Sequence, residues 1–360
     1  MDSLLLTPEL STGDGGIVRM LRLYLKALCE LSKGGDRVRF VSLNDPDSDA
    51  SVLRRYSTGS LAGSEACNRS RLRFIMAALR WGAVSDRLVC GHVAQLPVAW
   101  AASRLRRRAP YYLVAHGIEV WRPFTFLERR ALGSVRCVWC VSEFTRERLL
   151  EYCTLPRERT AVLPNALDPF LDSQSPATGT QGPPLVLAIS RLSVADDYKG
   201  IGHLIEAMPA VRAEIPEARL RIVGRGDGRP ALQALAVRLS VSESVEFAGY
   251  VSDSDLPGEF ARCRLFALPS QKEGFGLVYL EAMAHGRPCL GARSGGTPEV
   301  ISPETGLLVE FGDVPALARA MVDAMRRDWK PEAMLERARK FSYLRFKERL
   351  SVLLTERVPS

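Results

Sequence analysis

Two glutamates, Glu273 and Glu281, are separated by seven residues in SQKEGFGLVYLEAMAHGRPCLGARSGGTPEV, residues 270–300, with Gly274 and Gly276 between them. Carboxylates accept hydrogen bonds from hydroxyls, and glycines let backbone approach a ligand closely. The stretch from RLFALPS onward reads as a strand, a loop carrying Glu273, and a helix starting near Gly274. A helix N-terminus receives phosphate oxygens, so Glu273 at its mouth faces whatever the phosphate carries. Glu281 then lies roughly 10 to 12 Å further along, about the span from a sugar across a diphosphate to a ribose. A capping glutamate and a buried ion-paired one would explain each residue separately, but not their joint placement beside two glycines.

Other loops could hold an anion. In ISRLSVADDYKG, Arg191 ends a strand and Lys199 stands just before a helix. A planar guanidinium and a mobile ammonium suit a diphosphate without a metal, with a surface salt bridge as the alternative. STGDGGIVRM places Gly15 and Gly16 at a helix start, as a phosphate cradle requires. It is neither a Walker A loop nor the dinucleotide fingerprint. VGRGDG, beginning at Gly224 after its valine, reads equally as a tight turn or a ligand contact. His116 follows YYLV at a strand end, a place where polar residues more often serve function than packing. The pairs Asp47/Asp49 and Asp253/Asp255 imitate a metal-binding D-x-D. One lies in the unassigned segment 44–70, which reads as a flexible loop, and the other at a helix N-cap. Cys137 and Cys140 have redox or zinc spacing but no second Cys/His pair, so buried thiols are expected.

These loops need a scaffold. The chain has 360 residues, suited to two domains. From Pro184 onward, short β-rich runs (LVLAIS, LRIVG, VEFAGY, RLFALPS, RPCLGA, GLLVE) alternate with helical patterns. That alternation implies right-handed βαβ crossovers and a parallel sheet covered on both faces. The first half repeats it with LLLTPE, RVRFVSL, RLVCGH, YYLVAHG and VRCVWCVS. The expectation is an α/β protein of two Rossmann-like domains, 1–172 and 173–360, joined by the Pro/Gly/Ser/Thr-rich linker 168–184. In such sheets ligands collect at the carboxyl ends of the strands, and two sheets facing each other make a cleft.

Composition narrows the partners. With 46% hydrophobic and 25% charged residues the chain is globular. Its longest apolar runs, such as LVLAI, are far short of the ~20 residues that span a bilayer. MDSLLLTPEL has no basic region that would mark a signal peptide, so a cytoplasmic protein is expected. Residues 1–172 hold 25 Lys+Arg against 18 Asp+Glu, and so carry +7 of the net +8. Segment 54–108 has 11 basic and 2 acidic residues and ends in Arg104, Arg106, Arg107 and Arg108, near Leu96, Val98, Trp100 and Leu105. Such a face can dock on anionic lipid at the inner surface of the plasma membrane, or be an ordinary solvated face.

EGFGLVYLEAMAHGRPCLG resembles the E-x7-E signature of retaining GT-B glycosyltransferases, the large family that includes bacterial mannosyl- and glucosyltransferases of lipid and polysaccharide assembly. The resemblance runs almost the whole length, through TPELSTGDGGIVRM, AHGIEVW, VSEFTRERL, VLPNALDP, ISRL with YKG, and ARSGGTPEVI. It implies transfer of a sugar from a GDP- or UDP-linked donor, with retained configuration and with neither metal nor cofactor. The acceptor would be lipid-linked or a polysaccharide, and nucleic acid is not a partner. By position, Arg191 and Lys199 would bind the diphosphate, Glu273 the sugar and Glu281 the ribose, with Gly274, Phe275, Gly276 and Leu277 giving backbone contacts. His116 would face the donor sugar, Gly15 and Gly16 would lie beside the diphosphate, and the last helix would pack back on the first domain. A soluble sugar-phosphate synthase, or a binding protein without catalysis, are the rival readings.

Overall fold

The computed structural model describes residues 1–12, 15–106, 109–170 and 184–355. They form two compact units, Met1–Asp168 with Tyr343–Ser360, and Pro169–Ser342. The division falls at Asp168/Pro169, four residues before the expected boundary at 172, and residues 171–183 of the expected linker lie outside the described residues.

The first unit begins with β1 (Ser3–Thr7), α1 (Gly16–Leu31), β2 (Val38–Ser42), α2 (Ala50–Tyr56), β3 (Leu61–Ala66) and α3 (Arg71–Gly82). It continues with β4 (Arg87–Cys90), α4 (Leu96–Ser103), β5 (Tyr111–Ala115), α5 (Phe126–Leu132), β6 (Cys137–Cys140), α6 (Glu143–Glu151) and β7 (Thr160–Val162). The strands pair in parallel in the order β3-β2-β1-β4-β5-β6-β7. Apolar runs such as LLL in β1 are buried throughout because helices cover both faces.

Segment 44–70 is not the flexible loop expected from its composition. It holds α2, β3 and a fully buried Asp45. LAGSEA lacks the β-branched residues that mark a strand, and among the described residues it pairs on one side, with β2. Cys137 and Cys140 are buried at the two ends of β6. Three residues apart on a strand, they point to opposite faces and cannot share a ligand.

The second unit runs β8 (Leu185–Ile189), α7 (Ile201–Glu214), β9 (Arg219–Val223), α8 (Arg229–Arg238), β10 (Val245–Gly249), α9 (Leu256–Arg262) and β11 (Leu265–Leu268). Then follow α10 (Leu277–Ala284), β12 (Cys289–Ala292), α11 (Thr297–Val300), β13 (Gly306–Val309), α12 (Val314–Arg326) and α13 (Pro331–Arg339). Its parallel sheet has the order β10-β9-β8-β11-β12-β13. The chain's last helix, α14 (Tyr343–Thr355), belongs to the first unit. Phe346 meets Tyr24 of α1 edge-on at 5.0 Å, and Tyr24 stacks on the buried Trp139 of β6. Glu30 of α1 accepts from the Tyr343 hydroxyl at 2.9 Å and from Lys347 at 2.8 Å.

Candidate functional site

In both sheets the strand order reverses beside the first strand, at β8/β11 and at β1/β4, and the crevice at the carboxyl ends of such strands is where a doubly wound sheet takes its ligand. In the second unit the loops after β8 and β11 bring two expected residues together. Lys199 Nζ donates to Glu273 Oε2 at 2.8 Å, with the side chains only 20% and 15% exposed. Arg191 is turned outward, 78% exposed, and reaches Asp196, with Nε 3.2 Å from Oδ2. Asp196 also accepts from the Tyr198 hydroxyl at 2.8 Å. Burial, with Asp196 adding to it, pushes Tyr198 up to about 12. The Lys199 and Lys272 ammoniums lie 5.5 and 5.6 Å over the Tyr198 ring. Three cations and two carboxylates thus surround one tyrosine. Asp196, Tyr198 and Lys272 were not singled out in the sequence, although DDYK sets two of them beside Lys199.

The loop after β12 fixes Glu273 from behind. The Gly296 N–H donates to the Glu273 carbonyl at 2.7 Å. A Cβ on Gly295, whose φ is +62°, would lie 2.2 Å from that oxygen, and one on Gly296 would lie 2.4 Å from the Gly274 carbonyl. A side chain at either position would push the loop away. Gln271 N–H donates to the Tyr198 carbonyl at 2.7 Å, which ties the β11 loop to the β8 loop.

The helix expected from Gly274 begins at Leu277. Gly276, at φ +96°, is left-handed and cannot continue a right-handed helix, so Glu281 lies little more than one turn into α10. No side chain caps α10, which leaves its positive end to a ligand. Phe275 is buried against Phe341, ring centroids 5.4 Å apart, so only its backbone can serve a ligand. Glu281 is half-buried on α10, its carbonyl accepting from His285 Nδ1 at 2.8 Å. Gly224 has a packing reason for being glycine: at φ +144°, its Cβ would fall 1.7 Å from the Ser190 carbonyl oxygen. It allows the β9 loop to lie against the backbone that presents Arg191.

In the first unit, Gly15 is the N-cap of α1 and Gly16 its first residue, again with no side-chain cap among the described residues. His116 follows β5 and is 8% exposed. Its ring Nε2 lies 2.9 Å from the Gly91 carbonyl beyond β4. A carbonyl only accepts, so Nε2 carries the hydrogen and Nδ1 offers a lone pair, which is buried with no hydrogen-bond partner among the described residues. Glu119 Oε1 accepts from the backbone N–H groups of His116, at 2.5 Å, and Gly117, at 3.2 Å, and so fixes the turn. Burial pushes His116 down to about 4, with the Gly91 bond opposing. Burial also lowers nearby His92, where Glu119 opposes and His116 adds to the effect.

His116 is therefore neutral at pH 7. Because its folded value lies below the ordinary 6.5, the unfolded chain binds the proton more readily, and stability falls as pH drops from 6.5 towards 4. This group should remove roughly 2 kcal/mol between pH 7 and 5. Denaturant unfolding at the two pH values should show that share of the slope missing in His116→Gln.

The chain matches the family model of Glycosyltransferase Family 4 over residues 15–169 and that of Glycosyl transferases group 1 over residues 183–327. A GDP-mannose-dependent alpha-(1-6)-phosphatidylinositol monomannoside mannosyltransferase of Mycolicibacterium smegmatis is 33% identical over 263 residues, 67% of this chain and 68% of that one. The GDP-mannose-dependent monoacylated alpha-(1-6)-phosphatidylinositol monomannoside mannosyltransferase of Corynebacterium glutamicum is 39% identical over 153 residues, 41% and 39% of the two chains. Among solved structures, Anabaena HepE, in complex with UDP and glucose, shares the fold with a TM-score of 0.79 over 99% of both chains at 22% identity. With both of its sheets matched in this way, the chain belongs to the group 1, family 4 glycosyltransferases and has the GT-B fold.

Proposed function

We propose that this glycosyltransferase moves mannose from GDP-mannose to a lipid-linked mannoside of the cell envelope, with retained anomeric configuration and without a divalent metal. The observation that carries the reading is the Lys199–Glu273 pair set beside Arg191–Asp196 before the uncapped start of α10. Each cation is held by a carboxylate in the free protein, so a diphosphate exchanges one anionic partner for another instead of meeting bare charge. The choice of mannose and lipid rests on the names of the two relatives.

In this reading the acceptor hydroxyl attacks the anomeric carbon on the face the diphosphate leaves. The carbon–oxygen bond to the acceptor forms as the bond to phosphate breaks, and the departing diphosphate takes the acceptor's proton. Arg191, Lys199 and the α10 dipole stabilise the charge gathering on the phosphate. Glu273 accepts from sugar hydroxyls and Glu281 from the ribose. Gly15 and Gly16 lie beside the diphosphate. His116 works as a neutral ring whose Nδ1 accepts from a donor-sugar hydroxyl. Most of the acceleration then comes from positioning and preorganised charge.

The reading is tested by incubating the protein with radiolabelled nucleotide sugars and phosphatidylinositol monomannoside in vesicles, and by assigning the product's anomeric configuration by NMR. Transfer should be greatest from GDP-mannose, give an α product, and survive EDTA. Inactivation by EDTA that Mn²⁺ reverses would overturn the metal-free mechanism. Glu273→Gln should lower turnover by about a hundredfold or more while cooperative unfolding is kept.

The first unit also carries a surface suited to an anionic bilayer. On α3, Leu72 and Met76 are 69% and 61% exposed, Ile75 stands between them, and Arg71, Arg73 and Arg80 are exposed around them. On α5, Phe126 and Leu127 are exposed beside Arg129 and Arg130. Two arginines of the basic run have partners within the fold. Arg106 is paired with Asp86 at 2.8 Å, Arg104 stacks on Trp100 at 4.8 Å, and Arg107 and Arg108 lie outside the described residues. Leu96, expected at its apolar margin, is fully buried. Apolar side chains entering the headgroup region with arginines on the phosphates would hold the protein at the inner leaflet. Leu72→Ser with Met76→Ser should weaken binding to phosphatidylserine vesicles about tenfold or more in a flotation assay. Equal binding by parent and variant would make α3 an ordinary solvated helix.

A further inference from the structure

The fully buried Asp45, just beyond β2, is surrounded by donors from the loop that joins β1 to α1. Its Oδ2 accepts from Leu10 N at 2.8 Å and from Ser11 N at 3.1 Å, and its Oδ1 from Thr12 N at 3.1 Å and from the Thr12 hydroxyl at 2.8 Å. Three successive amides converging on one anion form the kind of nest that elsewhere takes a phosphate, and here the anion comes from the protein. The loop's carbonyls are held from the other side, with Arg22 of α1 donating to Leu10 O at 2.7 Å and to Ser11 O at 3.0 Å. Asp45 is itself anchored, its carbonyl accepting from Asn68 N at 2.8 Å. Ser11 Oγ accepts from Asp49 N at 3.3 Å, and Asn44 donates to Glu9 at 3.2 Å. Burial raises the Asp45 carboxyl, but the bonds from Ser11, Thr12 and Leu10 outweigh it and hold the group below the usual carboxylate range.

We propose that Asp45 is a positioning residue for the glycine loop: by holding Leu10–Thr12 it sets where Gly15 and Gly16 present the start of α1 to the donor's diphosphate. The amides of Leu10, Ser11 and Thr12 are occupied by Asp45, and Arg22 of α1 holds the carbonyls of Leu10 and Ser11, so this part of the loop and the start of the helix are fixed together. This rests on the donor reading given above. A loop held in advance binds the diphosphate without first losing its own conformational freedom, so the effect belongs in donor affinity and not in acceptor affinity.

The test compares Asp45→Asn, which removes the charge at constant size, with Thr12→Val, which removes one hydrogen bond and leaves the amides. Steady-state transfer at saturating acceptor should show the donor KM raised about tenfold or more in Asp45→Asn and a few-fold in Thr12→Val, with acceptor KM within about twofold of the parent. Hydrogen exchange of the intact protein should quicken in peptides covering residues 8–20, while those covering β4 to β6 stay unchanged. Donor KM unchanged in both variants, or donor and acceptor KM rising together, would overturn the proposal. Should Asp45→Asn fail to unfold cooperatively, Thr12→Val decides alone by the same criteria. A parent that transfers sugar from no nucleotide donor would count against the glycosyltransfer reading. The exchange experiment would then decide the anchoring, and unchanged exchange at residues 8–20 in Thr12→Val would overturn it.

Discussion

Where the loop after β12 passes behind Glu273, two stretches of bare backbone lie against each other, with the Gly296 N–H on the Glu273 carbonyl and no room for a Cβ on Gly295 or Gly296. The position of the Glu273 carboxylate is inherited from that contact. Lys199 is drawn to the carboxylate, Tyr198 is tied to the same loop through Gln271, and the turn into α10 starts three residues later. Gly224 repeats the device under Ser190, so the Arg191 loop is also held by backbone and not by side chains. Loops fixed in this way leave their side chains to the ligand.

The electrostatics follow one rule. Burying a charge without a partner is costly. Lys199 and Glu273, both mostly buried, are paired with each other, and the buried Asp196 is paired with the exposed Arg191. Asp45 is given donors of its own, and His116 gives up its charge. Around Tyr198 the charges are paired with one another, whereas beside β1 and β2 the Asp45 carboxylate is met by backbone amides and a hydroxyl.

The sequence was most legible where chemistry and periodicity coincide. Glu273 and Lys199 were singled out separately, and the fold brings them to 2.8 Å. The strands of both central sheets were marked by runs such as LVLAI and YYLV because burial on both faces leaves no alternation to disguise them. What stayed hidden depends on partners distant in sequence. β3 is a strand through its pairing with β2, not through its own residues. Asp45 has its role only because Leu10 to Thr12 come back to it across 33 to 35 residues. The start of α10 was placed at Gly274 because composition does not report that Gly276 is left-handed. Arg106 looked free until the fold brought Asp86 to it.

The return of α14 to the first unit also orders events during synthesis. The second unit is one uninterrupted stretch, Pro169–Ser342, whereas the first needs Tyr343–Thr355 to finish itself. On the ribosome, the half whose translation begins first is therefore completed last. Until Phe346 reaches Tyr24, and Tyr343 and Lys347 reach Glu30, the nascent first half keeps an aromatic edge uncovered and a carboxylate that only Lys26 of its own helix pairs among the described residues. That interval, as long as the translation of an entire domain, is when this chain is most exposed to misassembly and most in need of a chaperone.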